Sequence, residues 1–147
     1  MSFNDQQQKA IENAFNFISS ISNGVPYDDK LEYEECLELK QAFPEMKENP
    51  VWTNNNIMDL FDAISKANTN EWKIKMGEKL LNLIKVPNWD EQEYIRYDLD
   101  LFHAKLFTLS FFFGSPIDTQ SEDDETFKEE LNEIYKHYFN YIHSAII

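Results

Sequence analysis

Four residues within one stretch carry the side chains best suited to chemistry. Arg96, His103 and Ser110 follow one another at spacings of seven, which on a helix returns each to nearly the same face, and Asp100 lies one turn from both Arg96 and His103. A guanidinium, a carboxylate and an imidazole gathered in this way could line a small polar pocket where helices part. The same residues also describe a hydrogen-bonding network that satisfies polar groups between packed helices and fixes their register. The network carries more weight, because spacing along one helix does not supply the converging geometry a pocket needs.

Metal chemistry and nucleophilic catalysis find less support. A di-iron helical bundle uses two Glu-x-x-His repeats, whereas this chain has Asp100 three residues before His103 and Glu133 four residues before His137. His143 falls about 120° around the helix from His137, so the two rings do not face together. The expectation is no metal and no cofactor. Cys36, the single cysteine, sits on the inner face of an acid-rich helix, surroundings that raise a thiol pKa. It reads as a small core residue, and no residue is assigned a catalytic role.

Charge speaks more directly about partners. The 147 residues hold 27 acids against 13 bases, a net charge of −14. Such a surface repels phosphate, and the chain has one arginine, Arg96, so nucleic acid is not an expected partner. The basic stretch, residues 66–86 with Lys73, Lys75, Lys79 and Lys85, reads as a solvated helix face, in which Glu71 and Lys75 make a favourable one-turn pair. The acids concentrate in residues 27–48, 87–100 and 118–133. Asp28, Asp29, Asp123, Asp124 and Glu125 fall at helix starts, where carboxylates meet the positive end of the helix dipole. Glu129, Glu130 and Glu133 lie beyond that first turn, and Glu129 and Glu133 repel across one turn. Around residue 33 an apolar pair, Tyr33 and Leu37, points away from the inner face of its helix among Glu34 and Glu38. Aromatic and aliphatic anchors inside a charged rim are what a protein-binding patch shows.

The elements that must position these groups are all helical. Residues 4–22 form a first helix with Ile11, Ala14, Phe15, Ile18 and Ile21 inward and Asn23-Gly24 as its stop. Asp28 caps a second helix running to about Phe43, with Leu31, Cys36, Leu39, Ala42, Phe43 and Met46 inward and Pro44 ending it. After a connector with two prolines, Thr53 is expected to cap a third helix, with Trp52 and Ile57 as a hydrophobic staple and Leu60, Phe61, Ile64 and Ala67 continuing the stripe. A fourth helix spans residues 70–86, with Trp72, Met76, Leu80, Leu83 and Ile84 inward. The sixth runs from about 123 to 146 with Phe127, Leu131, Ile134, Tyr138, Tyr141, Ile142 and Ala145 in one stripe.

The fifth helix, residues 91–113, has two apolar stripes. Ile95, Leu99, Phe102, Leu106, Leu109 and Phe113 make one, and Tyr94, Tyr97, Leu101, Ala104, Phe107, Phe111 and Phe112 the other, so it is expected at the centre of the fold with packed layers on both sides. Asp90 and Glu93 supply its capping box, Trp89 and Tyr94 its staple. The chain therefore reads as all-α, a single-domain bundle of about six helices around a buried central helix. A lone cysteine, the lack of a signal peptide in the first residues and an apolar run of only 13 residues at Leu101 to Phe113 point to a cytoplasmic protein without membrane attachment. The function that fits is an acidic binding protein that neutralises a basic protein partner, as an immunity protein against a nuclease-type toxin or a phage-type inhibitor of a nucleic-acid enzyme would. The alternatives are a helical scaffold or regulatory subunit, and then an enzyme or small-ligand sensor using the Arg96, Asp100 and His103 seam. Oligomeric state is left open.

Overall fold

The computed structural model describes residues 4–87, 89, 96–112, 119 and 123–144. It is an all-α bundle of six helices with no strand among the described residues. Two of them, α1 (Asp5–Ser22) and α5 (described over Arg96–Phe112), each pack on four other helices. Their neighbours are α2 (Asp29–Ala42), α3 (Ile57–Ala67), α4 (Asn70–Leu81) and α6 (Asp124–Ser144), and the buried apolar side chains of all six join in one continuous core.

Local chemistry accounts for the first hairpin. Asn4 and Gln7 exchange a capping box, the Gln7 amide donating to Asn4 Oδ1 at 2.8 Å, and the stripe Ile11, Ala14, Phe15, Ile18 is shut off from water. At the other end Gly24 takes φ +92°, Val25 N–H donates to Ser20 O and Gly24 N–H to Ile21 O, the pair of bonds that closes a helix when a left-handed residue follows its cap. Asp28 Oδ1 then accepts from the Lys30 and Leu31 amides and starts α2. Cys36, Leu39, Ala42 and Phe43 are buried as expected, but Leu31 is not, being 41% exposed. The direction common to Cys36, Leu39 and Ala42 leaves Leu31 about 80° off, at the edge of the packed face.

The connector folds into two 3₁₀ turns, Pro44–Met46 and Pro50–Thr53, and buries Trp52 edge-on against Phe43 at a centroid distance of 6.5 Å. Thr53 does not cap α3. Its hydroxyl donates to Pro50 O within the second turn, and Asn56 caps instead, accepting from the Asp59 amide at 3.1 Å. With the cap moved, the expected Trp52 and Ile57 staple loses its spacing, although both side chains are buried. Ala67 lies on the exposed side of α3.

Helix α4, capped by Thr69, ends at Leu81 rather than near residue 86. Leu83 and Ile84 N–H donate to Leu80 and Leu81 O, so the chain tightens into three-residue turns that carry Ile84 into the core and leave Val86 exposed before Pro87. Phe43 also meets Trp72 at 6.1 Å, Trp72 meets Phe112 at 6.3 Å, and Phe112 meets Phe61 at 5.0 Å.

In α5 the described members of the first stripe, Leu99, Phe102, Leu106 and Leu109, are all buried. The second stripe is uneven. Ala104 and Phe112 are buried, whereas Leu101, Phe107 and Phe111 are half-exposed, so one face lies in the core and the other at its margin. The expected cap at Asp90 and Glu93, with Tyr94, Ile95 and Phe113, lies outside the described residues, as does the Tyr97 side chain. Trp89 is described, half-buried and edge-on to Phe102. Along α6, Leu131, Tyr138 and Ile142 point inward and Phe127 and Ile134 are half-buried, but Tyr141 is 51% exposed, about 80° from the line of the other three. Ala145 lies outside the described residues.

Two outcomes check this packing. Leu99→Ala should cost about 2 to 5 kcal/mol in denaturant melts, and Phe107→Ala less than a fully buried Phe would, since its side chain is only partly buried. Gly24→Ala meets no neighbouring atom within 4 Å, so its cost should be the backbone strain alone, about 1 to 2 kcal/mol.

Candidate partner-binding surface

The acidic helix α2 is held at its ends by Asp28 and Phe43 and along one side by Cys36, Leu39 and Ala42. Tyr33 and Leu37, one turn apart, project from its outer side at 53% and 44% exposure. Glu34 is exposed beside them, and Glu38 is half-buried because Asn13 of α1 donates to both of its carboxylate oxygens at 3.1 and 3.3 Å. Lys40 reaches across to Asn55 Oδ1 at 2.9 Å, which ties this flank to the start of α3. The outcome is a two-residue apolar ridge with carboxylates along one side and a lysine toward each end, Lys30 and Lys40.

The second acidic surface, on α6, differs. Glu129 and Glu133 are exposed and Glu130 is half-buried, with its Oε2 shut from water and without a hydrogen-bond partner among the described residues. Lys128 lies among Glu125 and Glu129 around Trp89, so the acids there are interrupted by a cation. The exposed aromatics of α6, Phe139 and Tyr141, stand about two turns beyond Glu133. Apolar anchors and acids therefore coincide on α2 and are separated on α6. Periodicity missed three further exposed apolar residues near α2, namely Val25, Tyr27 and Leu31. The phase set by Cys36, Leu39 and Ala42 was the signal available for Leu31.

The polar seam of α5 comes together only in part. Asp100 and His103 share an open groove of about 590 Å³ with Ser22, Asn23 and Gly24 at the end of α1. His103 is half-buried, edge-on to Phe127 at 5.5 Å and 3.4 Å from Thr119 Oγ1. Ser110 is fully buried. It donates to Phe107 O at 2.7 Å and hydrogen-bonds the phenol of Tyr138, which makes it a link between α5 and α6 and not a member of the groove. The Arg96 side chain lies outside the described residues. Two of the four seam residues thus meet.

No three His, Cys, Asp or Glu side chains gather as a metal site among the described residues. Glu133 and His137 are both exposed, and the His143 side chain lies outside the described residues. Cys36 is fully buried, and burial followed by the charge of Glu32 pushes its thiol up to about 11. The exposed Lys75 and Glu71 form the one-turn pair at 3.2 Å. No helix among the described residues is long and apolar enough to cross a membrane.

Burial lowers the pKa of His103 from its ordinary 6.5, while the carboxylate of Asp100 pulls it partly back up. The unfolded chain therefore takes up a proton near pH 6.5 that the folded chain refuses until lower pH. Stability should fall as pH drops through 6.5 and level off once the folded imidazole also protonates. His103→Asn removes this component, so the stability advantage of the native sequence over that variant should shrink in acid. Urea melts on either side of pH 6.5 check the sign, and a difference that is flat with pH would mean the ring is solvated. In addition, Asp100→Asn should lower the His103 pKa further in an NMR titration.

The chain matches no protein-family model, no curated protein and no solved structure, so a reading of its function rests on its own surface and charge.

Proposed function

We propose that the chain is a cytoplasmic, non-enzymatic binding protein that neutralises a basic protein partner through α2. The inhibitor of a nuclease is the type of molecule meant, whether an immunity protein against a nuclease-type toxin or a phage-type inhibitor of a nucleic-acid enzyme. One observation carries the reading: Tyr33 and Leu37 stand out of the bundle beside Glu34 and Glu38 in a chain with a net charge of −14. Exposed apolar anchors bring dissociation-limited affinity when a partner covers them, and the acids speed encounter with a cationic surface. A nuclease is cationic where it holds phosphate, so an acidic surface can occupy the same ground. Glu129, Glu130 and Glu133 on α6 add to the long-range field without anchors of their own.

Capture on immobilised protein at low and high salt tests the reading. The retained protein should be basic and released by salt, and a partner that is acidic or indifferent to salt would overturn the proposal. In the isolated complex, Tyr33→Ala should weaken binding by about 2 kcal/mol or more, mainly through faster dissociation. Glu34→Lys should mainly slow association at low salt. It is a cleaner probe than Glu38→Lys, which also breaks the bond from Asn13. Neither Tyr33→Ala nor Glu34→Lys should lower the melting temperature, and normal binding by both would remove α2 from the interface.

A further inference from the structure

The α1 and α2 hairpin also forms a concave surface on the other flank of α2. The two helices and the turn between them form a groove of about 380 Å³ whose lining includes the apolar Phe17, Val25 and Leu31 and the acids Asp28 and Glu35. Val25 and Leu31 are large apolar side chains left substantially in water. Every ionisable residue that lines the groove among the described residues is an acid. Glu35 is short of partners: its Oε2 is closed off from water and receives no hydrogen bond from any described residue. Burial raises its pKa, and the charges of Glu38 and then Glu34 add to the effect.

We propose that this groove takes an apolar side chain of a basic protein partner and sets a neighbouring lysine or arginine of that partner against Glu35. The inference rests on the reading of a basic partner but assigns contact to a different face, since Leu31 lies at least about 120° around α2 from Tyr33 and Leu37. Charge selects the occupant. A cation set against the reachable part of the Glu35 carboxylate offsets the repulsion from Glu34 and Glu38. An apolar side chain displaces water from Val25 and Leu31. A second copy of this chain is a poor occupant, because each copy carries −14 and the helix richest in lysine already pairs Lys75 with Glu71.

The groove is also held in shape before any partner arrives. The turn is closed by the Gly24 and Val25 amides, α2 is fixed by its Asp28 cap, and Tyr27 packs edge-on to Phe17 at 6.4 Å while its hydroxyl donates to Glu32. Little ordering therefore remains to oppose binding.

A short synthetic helical peptide with leucine and arginine alternating along one face at one-turn spacing is the probe, followed by NMR on the isotope-labelled full chain at low salt. Amide shifts are expected at Phe17, Val25, Leu31 and Glu35. Leu31→Ser and Glu35→Gln should each weaken the peptide by about tenfold or more, while Tyr33→Ala leaves it unchanged. Glu35→Gln keeps the side-chain shape, so its result stands even if Leu31→Ser perturbs the hairpin. Equal binding of a control peptide with serine in place of leucine would reduce the contact to charge alone and overturn the proposal. Absence of binding would overturn it as well. Shifts confined to Tyr33 and Leu37 would remove the groove yet leave the α2 ridge standing, which separates the two readings. Self-association of the chain that Leu31→Ser abolishes would give the groove to a second copy and also refute the proposal.

Discussion

Phe43, held edge-on between Trp52 and Trp72, is the junction on which the bundle depends. Its ring is buried at the point where α2 ends, the connector turns and α4 passes, and through Trp72 and Phe112 the same contact reaches α5 and then Phe61 of α3. Edge-to-face pairs contribute roughly 0.5 to 1.5 kcal/mol each beyond the area they bury, and they set direction, which aliphatic packing alone does not. The position of Phe43 fixes the last turn of α2, and the rotation of α2 about its axis decides which side chains it turns to water.

Charge pairing among the described residues contributes little to holding these helices. The ion pairs among the described residues, Lys66 with Asp62 and Lys75 with Glu71, are exposed one-turn contacts of the kind that contributes a few tenths of a kcal/mol. The excess of acids therefore opposes the compact state, and apolar burial must outweigh that repulsion. Several acids have structural duties that explain their presence: Asp28 caps α2, Asp123 accepts from Thr126 at the start of α6, and Glu38 receives Asn13. Glu34, Glu129 and Glu133 are exposed and make no hydrogen bond or ion pair among the described residues. These carboxylates are left free to meet a cationic surface.

What could be read from the sequence was whatever is decided within a few residues. Asn23-Gly24, Asp28, Pro44 and the α1 stripe act locally, and the structure places them as their chemistry requires. Competition between equally good local choices was not legible. Thr53 and Asn56 can both cap, and Pro50 draws Thr53 into a 3₁₀ turn before it can do so. Leu31 and Tyr141 show a second limit: a residue about 80° from the centre of an apolar stripe joins the core or the surface according to how wide the neighbouring helices are. Long-range polar pairs leave no local trace at all. Ser19 and Thr108 meet at 3.1 Å across 89 positions, each also bonded to a carbonyl of its own helix, and Ser65 donates to Phe112 O at 2.6 Å. For the candidate site, the outward direction of Tyr33 and Leu37 followed from phase, whereas the groove beside Leu31 needed the angle between two helices, which no single helix encodes.

Helix α2 gives few of its residues to the core. Only Cys36, Leu39 and Ala42 of its 14 residues are buried, and two of those are small. The narrow inner face lies against α1 along Cys36 and Leu39, with Asn13 donating to Glu38, and the ends of the helix are fixed by Asp28 and Phe43. That arrangement leaves the middle turns free to vary in side chain without a cavity opening beneath them. Apolar residues there, Leu31 on one flank and Tyr33 and Leu37 on the other, lose no packing by facing outward, because no packed site awaits them. Their exposure costs solubility instead, and the carboxylates between them counter that cost by repelling a second copy while attracting a cationic surface. The same physics that keeps this helix soluble alone would make it selective when bound.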